Sequence, residues 1–179
     1  MDIFYVYNQT NKIITITGTN GKSTTAELLN LIMKNHKIDS RLCGNIGNPI
    51  LSEKKISKKT IFVVEASSYQ IDYSKMFKTN YALILNISPD HLERHGSMNS
   101  YVKAKFKLVN RQSKKDFAFM NVKNKYLKKQ IRNSKVFSKI INVNLKSITI
   151  LKKKIINQYF FLKSNLENLS FIFVACKKL

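Results

Sequence analysis

Apolar and polar positions along the chain form segments that predict strands separated by helices. Runs of β-branched and aromatic residues indicate buried strands at 12–17, 61–64, 81–87 and 116–122. Apolar residues at helical spacing predict helices at 23–35, 97–111 and 165–178. Between 134 and 162, short β-type runs are mixed with lysines and no single element is favoured. This alternation predicts a three-layer α/β fold of the P-loop type, with a mostly parallel sheet and helices on both faces.

The loop between the first predicted strand and the first helix, residues 18–24, is rich in glycine and ends in Lys-Ser-Thr. A glycine turn in this position directs backbone N–H groups and a helix N-terminus toward a phosphate. Lys22 can reach the terminal phosphates of a nucleotide, and the Ser23 hydroxyl can bind Mg²⁺. Ile16 stands where the common pattern has an early glycine, which indicates a particular branch of ATP-binding proteins. A turn that binds no ligand is the alternative.

Polar residues also follow other predicted strands. Glu65 comes directly after the strand at 61–64, and Asp90 and His91 come shortly after the strand at 81–87. In open α/β sheets, ligands bind at the carboxyl ends of the strands. We therefore expect these groups to converge with the glycine loop on one ATP–Mg²⁺ site.

The 179 residues suffice for one domain with a sizeable core, and their formal charge is +22. A charge of this size can indicate nucleic-acid binding. However, only four of the 32 basic residues are arginine, the residue favoured for recognition of bases and phosphates. The lysines are spread through the chain, so we expect no nucleic-acid partner.

The cysteines Cys43 and Cys176 are far apart and form no CxxC pair, which argues against a disulfide framework or a zinc site. The N-terminus has no secretory-signal pattern, and the longest apolar run near the end of the chain is too short to span a bilayer. The predicted location is the cytoplasm, without membrane association.

Six segments, in the same order, resemble the Mur ligases, the ATP-dependent amino-acid ligases of peptidoglycan precursor synthesis. They are residues 18–24, 44–49, 65–70, 86–95, 101–105 and 165–168. The Ser-Ser-Tyr-Gln sequence at 67–70 is most similar to the D-glutamate-adding branch of that family. The resemblance implies that ATP phosphorylates a carboxylate of a nucleotide-sugar substrate, UDP-N-acetylmuramoyl-L-alanine. The amine of D-glutamate then attacks the acyl phosphate.

The resemblance also implies the ligands of ATP and Mg²⁺. Residues matched to the ATP site are Gly18, Thr19, Asn20, Gly21, Lys22, Ser23 and Thr24 at the phosphates and Asn165 and Asn168 at the adenine. Ser23 and Glu65 would bind one Mg²⁺. His91 and a carbamylated Lys105 would bind a second.

The nucleotide-sugar would be contacted by residues of three segments, namely Asn45, Ser67, Gln70 and His91. The residues implied in catalysis are Lys22, Glu65, His91 and Lys105.

Taken without the family, these residues have simpler interpretations. Glu65 could be a solvated strand end, and a single histidine such as His91 is usually structural or exposed. Lys105 is one of many lysines. At the adenine site, Ser164 replaces the histidine of the family's Gly-x-His-Asn motif and Lys163 precedes it. The sequence therefore departs from the family's motif next to Asn165.

The resemblance assigns residues 1–179 to the central ATP-binding domain alone, incomplete at its C-terminal end. The N-terminal UDP-binding domain and the C-terminal amino-acid-binding domain are expected to be absent, unless separate chains supply them in trans. A truncated gene, a partial gene model and half of a split enzyme are all compatible with the sequence. The alternative function is a stand-alone ATP-binding module whose basic surface serves an acidic partner.

Overall fold

The computed structural model describes residues 1–152 and 154–179. These residues form six strands: β1 (Lys12–Thr17), β2 (Ser40–Gly44), β3 (Ile61–Glu65), β4 (Tyr81–Ile84), β5 (Phe117–Met120) and β6 (Lys139–Asn142). The strands make one sheet in the order β2-β3-β1-β4-β5-β6, and every neighbouring pair is parallel.

The same residues form eight α-helices: α1 (Asp2–Tyr7), α2 (Lys22–Asn35), α3 (Ser68–Tyr73), α4 (Leu92–His95), α5 (Met98–Asn110), α6 (Lys125–Arg132), α7 (Thr149–Lys152) and α8 (Lys163–Cys176). Two short 3₁₀ turns, Leu145–Ile148 and Gln158–Phe161, precede α7 and α8 respectively. Lys153, inside the region 134–162 where the sequence favours no single element, lies outside the described residues.

The sheet is buried on both faces because successive side chains of a strand point to opposite sides. Ile13 and Val64 belong to a core that is completed by residues of α1, α3, α5 and α6. Ile14 and Val63 face the other way and pack with residues of α2 and α8. This two-sided burial explains the continuous apolar runs in the sequence.

The predicted α/β fold with helices on both faces is confirmed. The predicted strands correspond to β1, β3, β4 and β5, and the predicted helices to α2, α5 and α8. Strand β4 ends at Ile84, three residues earlier than predicted, because the chain from Leu85 onward runs along the glycine loop. Strands β2 and β6 and helices α1, α3, α4, α6 and α7 were not predicted.

The sheet has its topological switch beside β1. From β1 the chain goes first to β2 at the edge of the sheet and returns to β3, which lies between β2 and β1. It then continues on the other side of β1 with β4, β5 and β6. A crevice at the carboxyl ends of the strands is expected at such a switch. The glycine loop after β1 lies at this position.

Candidate functional site

The loop between β1 and α2 depends on glycine at its last position. Gly21 has a φ of 80°, in the left-handed region, and helix α2 begins at the next residue. A side chain at Gly21 would overlap the amide of Asn168 on α8. Glycine is therefore required by the backbone conformation and by the available space. Within the described chain, no side chain caps the N-terminus of α2, so its first N–H groups can bind an anion.

The carboxylate of Glu65 connects two other segments to the end of β3. Its Oε2 accepts a 2.8 Å hydrogen bond from Oγ of Ser23, and its Oε1 accepts a 3.1 Å bond from Nδ2 of Asn45. The Asn45 backbone N–H also donates to the Glu65 carbonyl at 3.0 Å. Residues that follow β1 and β2 thus meet at the carboxylate that ends β3. The strand ends led us to expect the glycine loop near Glu65, whereas the contact of Asn45 with Glu65 was not expected.

The surroundings of Glu65 fit a bound Mg²⁺. Glu65 is 1% exposed, and both side chains that donate to it are neutral. Among residues 1–152 and 154–179, no basic side chain forms an ion pair with it. A buried carboxylate without a compensating cation is unfavourable. Carboxylate and hydroxyl oxygens are hard ligands suited to Mg²⁺, which usually retains waters and phosphate oxygens as its other ligands.

The ammonium group of Lys22 lies over the glycine loop. Its Nζ donates a 2.8 Å hydrogen bond to the carbonyl oxygen of Thr19, three residues earlier. The lysine therefore places a positive charge beside the backbone that would face a phosphate. The contact of Lys22 with the phosphates stays a prediction.

The side chain of Lys105 is buried beneath the same loop. It is 2% exposed, and its Nζ donates to the carbonyl oxygen of Gly18 at 3.0 Å and to Oγ1 of Thr17 at 3.3 Å. Burial, together with the charge of Lys22, lowers the pKa of Lys105 from 10.5 to about 7. Much of this lysine is therefore neutral near physiological pH.

His91 immediately precedes helix α4, and its described side-chain contacts are with Asp90, Glu93 and Tyr69. Its side chain is 46% exposed, with Nε2 3.3 Å from Oδ2 of Asp90 and the ring centroid 5.1 Å from that of Tyr69. Its backbone has a φ of 52°, which is unusual for a residue other than glycine. The described residues contain no cluster of three or more His, Cys, Asp and Glu side chains suited to a metal ion. The second metal site, with His91 and Lys105, stays a prediction.

Ser67 and Gln70, both predicted to contact the substrate, form the N-terminal cap of helix α3. Oγ of Ser67 accepts from the Gln70 N–H at 3.2 Å, and Oε1 of Gln70 accepts from the Ser67 N–H at 2.8 Å. This reciprocal arrangement is a capping box. It gives both side chains a structural role, and their contact with substrate stays a prediction.

The two asparagines predicted at the adenine lie on helix α8 at the edge of the loop. Nδ2 of Asn165 donates to the carbonyl oxygen of Tyr159 at 2.7 Å. The Asn168 side chain is 5% exposed and packs against Gly21. Helix α8 is thus next to the glycine loop, and the adenine contacts themselves stay predictions.

One residue with many contacts to the loop carried no predicted role. Asn86, which follows β4, is hydrogen-bonded to Asn20 through both atoms of its side-chain amide. It belongs to the segment 86–95, which resembles the family, yet nothing in the local sequence marks it as a partner of the loop. The signal that could have found it is the adjacency of β1 and β4, which the sequence alone does not supply.

None of the helices formed by the described residues has the length and apolar character needed to cross a bilayer.

Fold and site together define an α/β nucleotide-binding domain with a glycine-rich phosphate loop. Residues 16–174 match the Mur ligase middle domain. The chain therefore belongs to the Mur ligase family.

Curated relatives carry the name UDP-N-acetylmuramoylalanine–D-glutamate ligase. The protein of Rickettsia bellii is 34% identical over 186 residues, which cover 100% of this chain and 40% of the relative. The protein of Rickettsia prowazekii is 42% identical over 129 residues, which cover 72% of this chain and 28% of the relative. The chain thus spans well under two thirds of the length of these relatives.

Solved structures support the fold. The MurF ligase of Thermotoga maritima, in complex with ADP, superposes with a TM-score of 0.62 at 17% identity over 78% of this chain and 35% of that one. A ligase of Neisseria meningitides that acts on UDP-N-acetylmuramate and L-alanyl-γ-D-glutamyl-meso-diaminopimelate gives a TM-score of 0.70 at 12% identity over 98% of this chain and 64% of that one.

Proposed function

We propose that this chain is the ATP-binding domain of a ligase that adds D-glutamate to UDP-N-acetylmuramoyl-L-alanine. The observation that carries the proposal is the contact of Ser23 and Asn45 with the buried Glu65 carboxylate. Through this carboxylate the ATP loop is connected to the segment 44–49, which a simple ATP-binding module does not need. The names of the curated relatives support D-glutamate as the amino acid.

In this proposal the chain positions the reactants and stabilises negative charge. Bound Mg²⁺ would neutralise charge on the phosphate oxygens of ATP. Ser23 and Glu65 supply the oxygen atoms that would hold the ion. Lys22 and the N–H groups at the start of α2 face the developing phosphate charge, and interactions of this kind are the main source of catalysis in phosphoryl transfer.

Asn45 would orient the nucleotide-sugar, since its amide lies beside Glu65 and is exposed. His91, also exposed, would approach the same substrate from the other side of the switch point. Lys105 is proposed to react with carbon dioxide and to bind a second Mg²⁺ as the carbamate. Its burial and its lowered pKa favour the neutral amine that this reaction needs.

A cavity beside helix α8 is suited to the nucleoside part of ATP. It has a volume of about 370 Å³ and lies at the carboxyl ends of β4, β5 and β6 against helix α8. Leu85, Val143 and Phe171 provide apolar walls, and Glu167 and Lys146 provide polar groups at its edge. Glu167 precedes Asn168, the residue packed on Gly21, so we infer that the base lies on this side of the loop.

Ligation is proposed to require regions equivalent to the rest of the relatives, whether in the same polypeptide or in trans. Orientation of the two substrates can contribute about 7–11 kcal/mol to reactions of this kind. We therefore expect no D-glutamate ligation by residues 1–179 alone. The cytoplasmic location and the absence of a nucleic-acid partner stay predictions.

Calorimetric titration with ATP, with and without Mg²⁺, tests the proposal on the chain as it stands. We expect Mg²⁺-dependent binding that the Lys22→Ala, Glu65→Ala double variant loses. The matched control is Lys107→Ala, Asp72→Ala, which removes a surface ion pair of 2.7 Å between helices α5 and α3. Equal binding by the wild type and the first variant would contradict the proposal. Ligase activity on adding the remaining regions distinguishes a ligase from a stand-alone ATP-binding module.

A further inference from the structure

Asn86 pairs with the backbone of Asn20 in the manner of a neighbouring strand. The Asn20 N–H donates to Oδ1 of Asn86 at 2.8 Å, and Nδ2 of Asn86 donates to the Asn20 carbonyl oxygen at 2.9 Å. One side-chain amide thus satisfies the donor and the acceptor of a single loop residue. An asparagine amide carries both a donor and an acceptor, which this pairing requires.

The rest of the same segment follows the loop residue by residue. The Thr19 N–H donates to the backbone carbonyl of Asn86 at 3.1 Å. Oγ1 of Thr19 accepts from the Ser88 N–H at 3.1 Å and lies 3.2 Å from the Ser88 carbonyl oxygen. At Gly18, a side chain would come within 3.1 Å of Cβ of Leu85 and 3.3 Å of the Asn86 nitrogen. Residues 85–88 therefore hold residues 18–20 from one side.

These contacts have an energetic consequence for a loop that binds phosphates with its backbone. Ordering a flexible loop on binding costs conformational entropy, which reduces affinity. A loop that is already held by hydrogen bonds avoids most of that cost. The bonds from Asn86 reach the loop from the segment that directly follows β4, the strand next to β1, so the fold itself maintains the loop's shape.

We propose that Asn86 is a positioning residue of the nucleotide site, a clamp that keeps residues 18–20 in the shape that binds phosphate. The proposal rests on the proposed function, because it assumes that ATP is the ligand of this loop. Asn86 acts through Asn20 and is not itself assigned a contact with the nucleotide.

Asn80 provides a matched control. It precedes β4 as Asn86 follows it, and it also bridges neighbouring strands. Its Oδ1 accepts from the Ile13 N–H at 2.9 Å, and its Nδ2 donates to Oδ1 of Asp116 at 3.2 Å. Asn80→Ala and Asn86→Ala therefore each remove two side-chain hydrogen bonds, at opposite ends of the same strands.

The experiment compares both variants with the wild-type 179-residue chain by calorimetric titration of ATP in Mg²⁺ and by thermal unfolding. We expect Asn86→Ala to weaken ATP binding about tenfold, equivalent to about 1.4 kcal/mol. The ATP affinity of Asn80→Ala should stay within about twofold of that of the wild type. This should hold even if Asn80→Ala lowers the melting temperature as much as Asn86→Ala does. If Asn86→Ala does not fold, Asn86→Ser replaces it, because its hydroxyl keeps the position polar but is too short for the paired bonds.

Amide hydrogen exchange measured by NMR without nucleotide gives a second readout. The Thr19 N–H bonds to the backbone of Asn86, which every variant retains, so its exchange reports the order of the loop. We expect faster exchange in Asn86→Ala and no change in Asn80→Ala. Unchanged ATP affinity in a folded Asn86 variant, or equal losses in both variants, would overturn the proposal. If the wild type itself does not bind ATP, the proposed function fails, and unchanged Thr19 exchange would then overturn the clamp separately.

Discussion

Oγ of Ser23, in the first turn of α2, lies 2.8 Å from Oε2 of Glu65 at the end of β3, although 42 positions separate the two residues in sequence. The hydroxyl is the donor in this contact, so the carboxylate holds it in place beside the glycine loop. Two oxygen atoms suited to Mg²⁺ are thus held side by side before any ion binds. Their positions are fixed by the packing of α2 against the sheet and by this hydrogen bond.

Replacing Glu65 should remove the effect of Mg²⁺ on ATP affinity without abolishing ATP binding. In Glu65→Gln the side chain keeps its size but loses its charge, so Mg²⁺ should no longer increase ATP affinity. We expect a loss of at least about tenfold in Mg²⁺-containing buffer, equivalent to about 1.4 kcal/mol. The free energy of unfolding should be unchanged or higher, because an uncompensated buried charge is removed. Titration at several Mg²⁺ concentrations and urea unfolding measure the two effects.

The control for this variant is Glu27→Gln, which removes an exposed carboxylate from the same helix that carries Ser23. It should bind ATP as the wild type does at every Mg²⁺ concentration. If Glu65→Gln retains the wild-type response to Mg²⁺, the carboxylate is not a metal ligand.

Gly21→Ala should destabilise the fold more than a substitution at another glycine of positive φ. Alanine in the left-handed region costs about 1–2 kcal/mol, and at Gly21 its methyl group would also overlap Asn168. Gly96 has a φ of 70° with nothing within 4 Å of the added methyl group, so Gly96→Ala isolates the backbone cost. Urea unfolding should show a larger loss for Gly21→Ala than for Gly96→Ala.

Adding Asn168→Ala to Gly21→Ala should recover only the part of the lost unfolding free energy that exceeds the loss in Gly96→Ala. The second substitution relieves the overlap with the methyl group but leaves the backbone strain. A double-mutant cycle between Gly21→Ala and Asn168→Ala measures this coupling. Additive losses in the cycle would show that the Asn168 amide moves aside without cost and does not constrain the loop.

Most of the sheet could be predicted because its central strands carry a strong local signal. Strand β1 was predicted at its observed bounds, since residues 12–17 are dominated by β-branched side chains that are buried on both faces. Strand β2 was missed because its sequence, Ser-Arg-Leu-Cys-Gly, mixes polar and apolar residues, as an edge strand with partly exposed positions allows. Helix α6 was missed because a lysine-rich, eight-residue segment buries a single leucine.

In the candidate site, too, features with a local sequence signal could be predicted, and contacts that depend on strand order could not. The nearness of Ser23 to Glu65 could be predicted, because Glu65 ends β3 and the glycine loop after β1 leads into Ser23. Strand ends meet at one edge of a parallel sheet. The pairing of Asn86 with Asn20 depends on which strand lies next to β1. That order is a property of the whole fold, because β2 and β3, which precede β4 in the chain, lie on the other side of β1.

Lys105 should make the stability of the chain depend on pH. Its pKa falls from 10.5, the ordinary value for lysine, to about 7 in the folded chain, through burial and Lys22, partly opposed by Asp90. Between these values the unfolded chain binds a proton that the folded chain has released, so stability increases as pH rises. Burial of the charged ammonium lowers the free energy of unfolding by its full amount below about pH 7. This loss disappears as pH rises through 10.5.

We expect the free energy of unfolding of the wild type to rise relative to Lys105→Met between about pH 7 and about pH 9.5 in metal-free, carbon-dioxide-free buffer. Methionine keeps the apolar stem in the core without a charge. Lys103→Met, at an exposed position of the same helix, should follow the wild type. If the difference in the free energy of unfolding between the wild type and Lys105→Met does not change with pH, the lowered pKa of Lys105 is contradicted.

The same lowered pKa should make Lys105 the lysine that reacts with carbon dioxide. Only the neutral amine attacks carbon dioxide, forming a carbamate and releasing one proton. A lysine of ordinary pKa is neutral in about one molecule in a thousand at pH 7.4, whereas with a pKa of about 7 more than half of Lys105 is neutral. The Tyr101 ring, 4.8 Å from Nζ, and the loop above it limit access of water to the product.

With ¹³C-labelled bicarbonate at pH 7.4, we expect a carbamate signal from Lys105 in the ¹³C NMR spectrum of the wild type, separate from any signal of the N-terminal amine. The Lys105 signal should become stronger when Mg²⁺ and ATP are added. Lys103→Met should retain the signal, since residue 103 lies about 200° around the helix from residue 105. Lys105→Met should lose it, because the carbon dioxide has no neutral amine at that position. A signal of equal strength in Lys105→Met, or none in the wild type at saturating bicarbonate, would assign the second metal ligand to another residue.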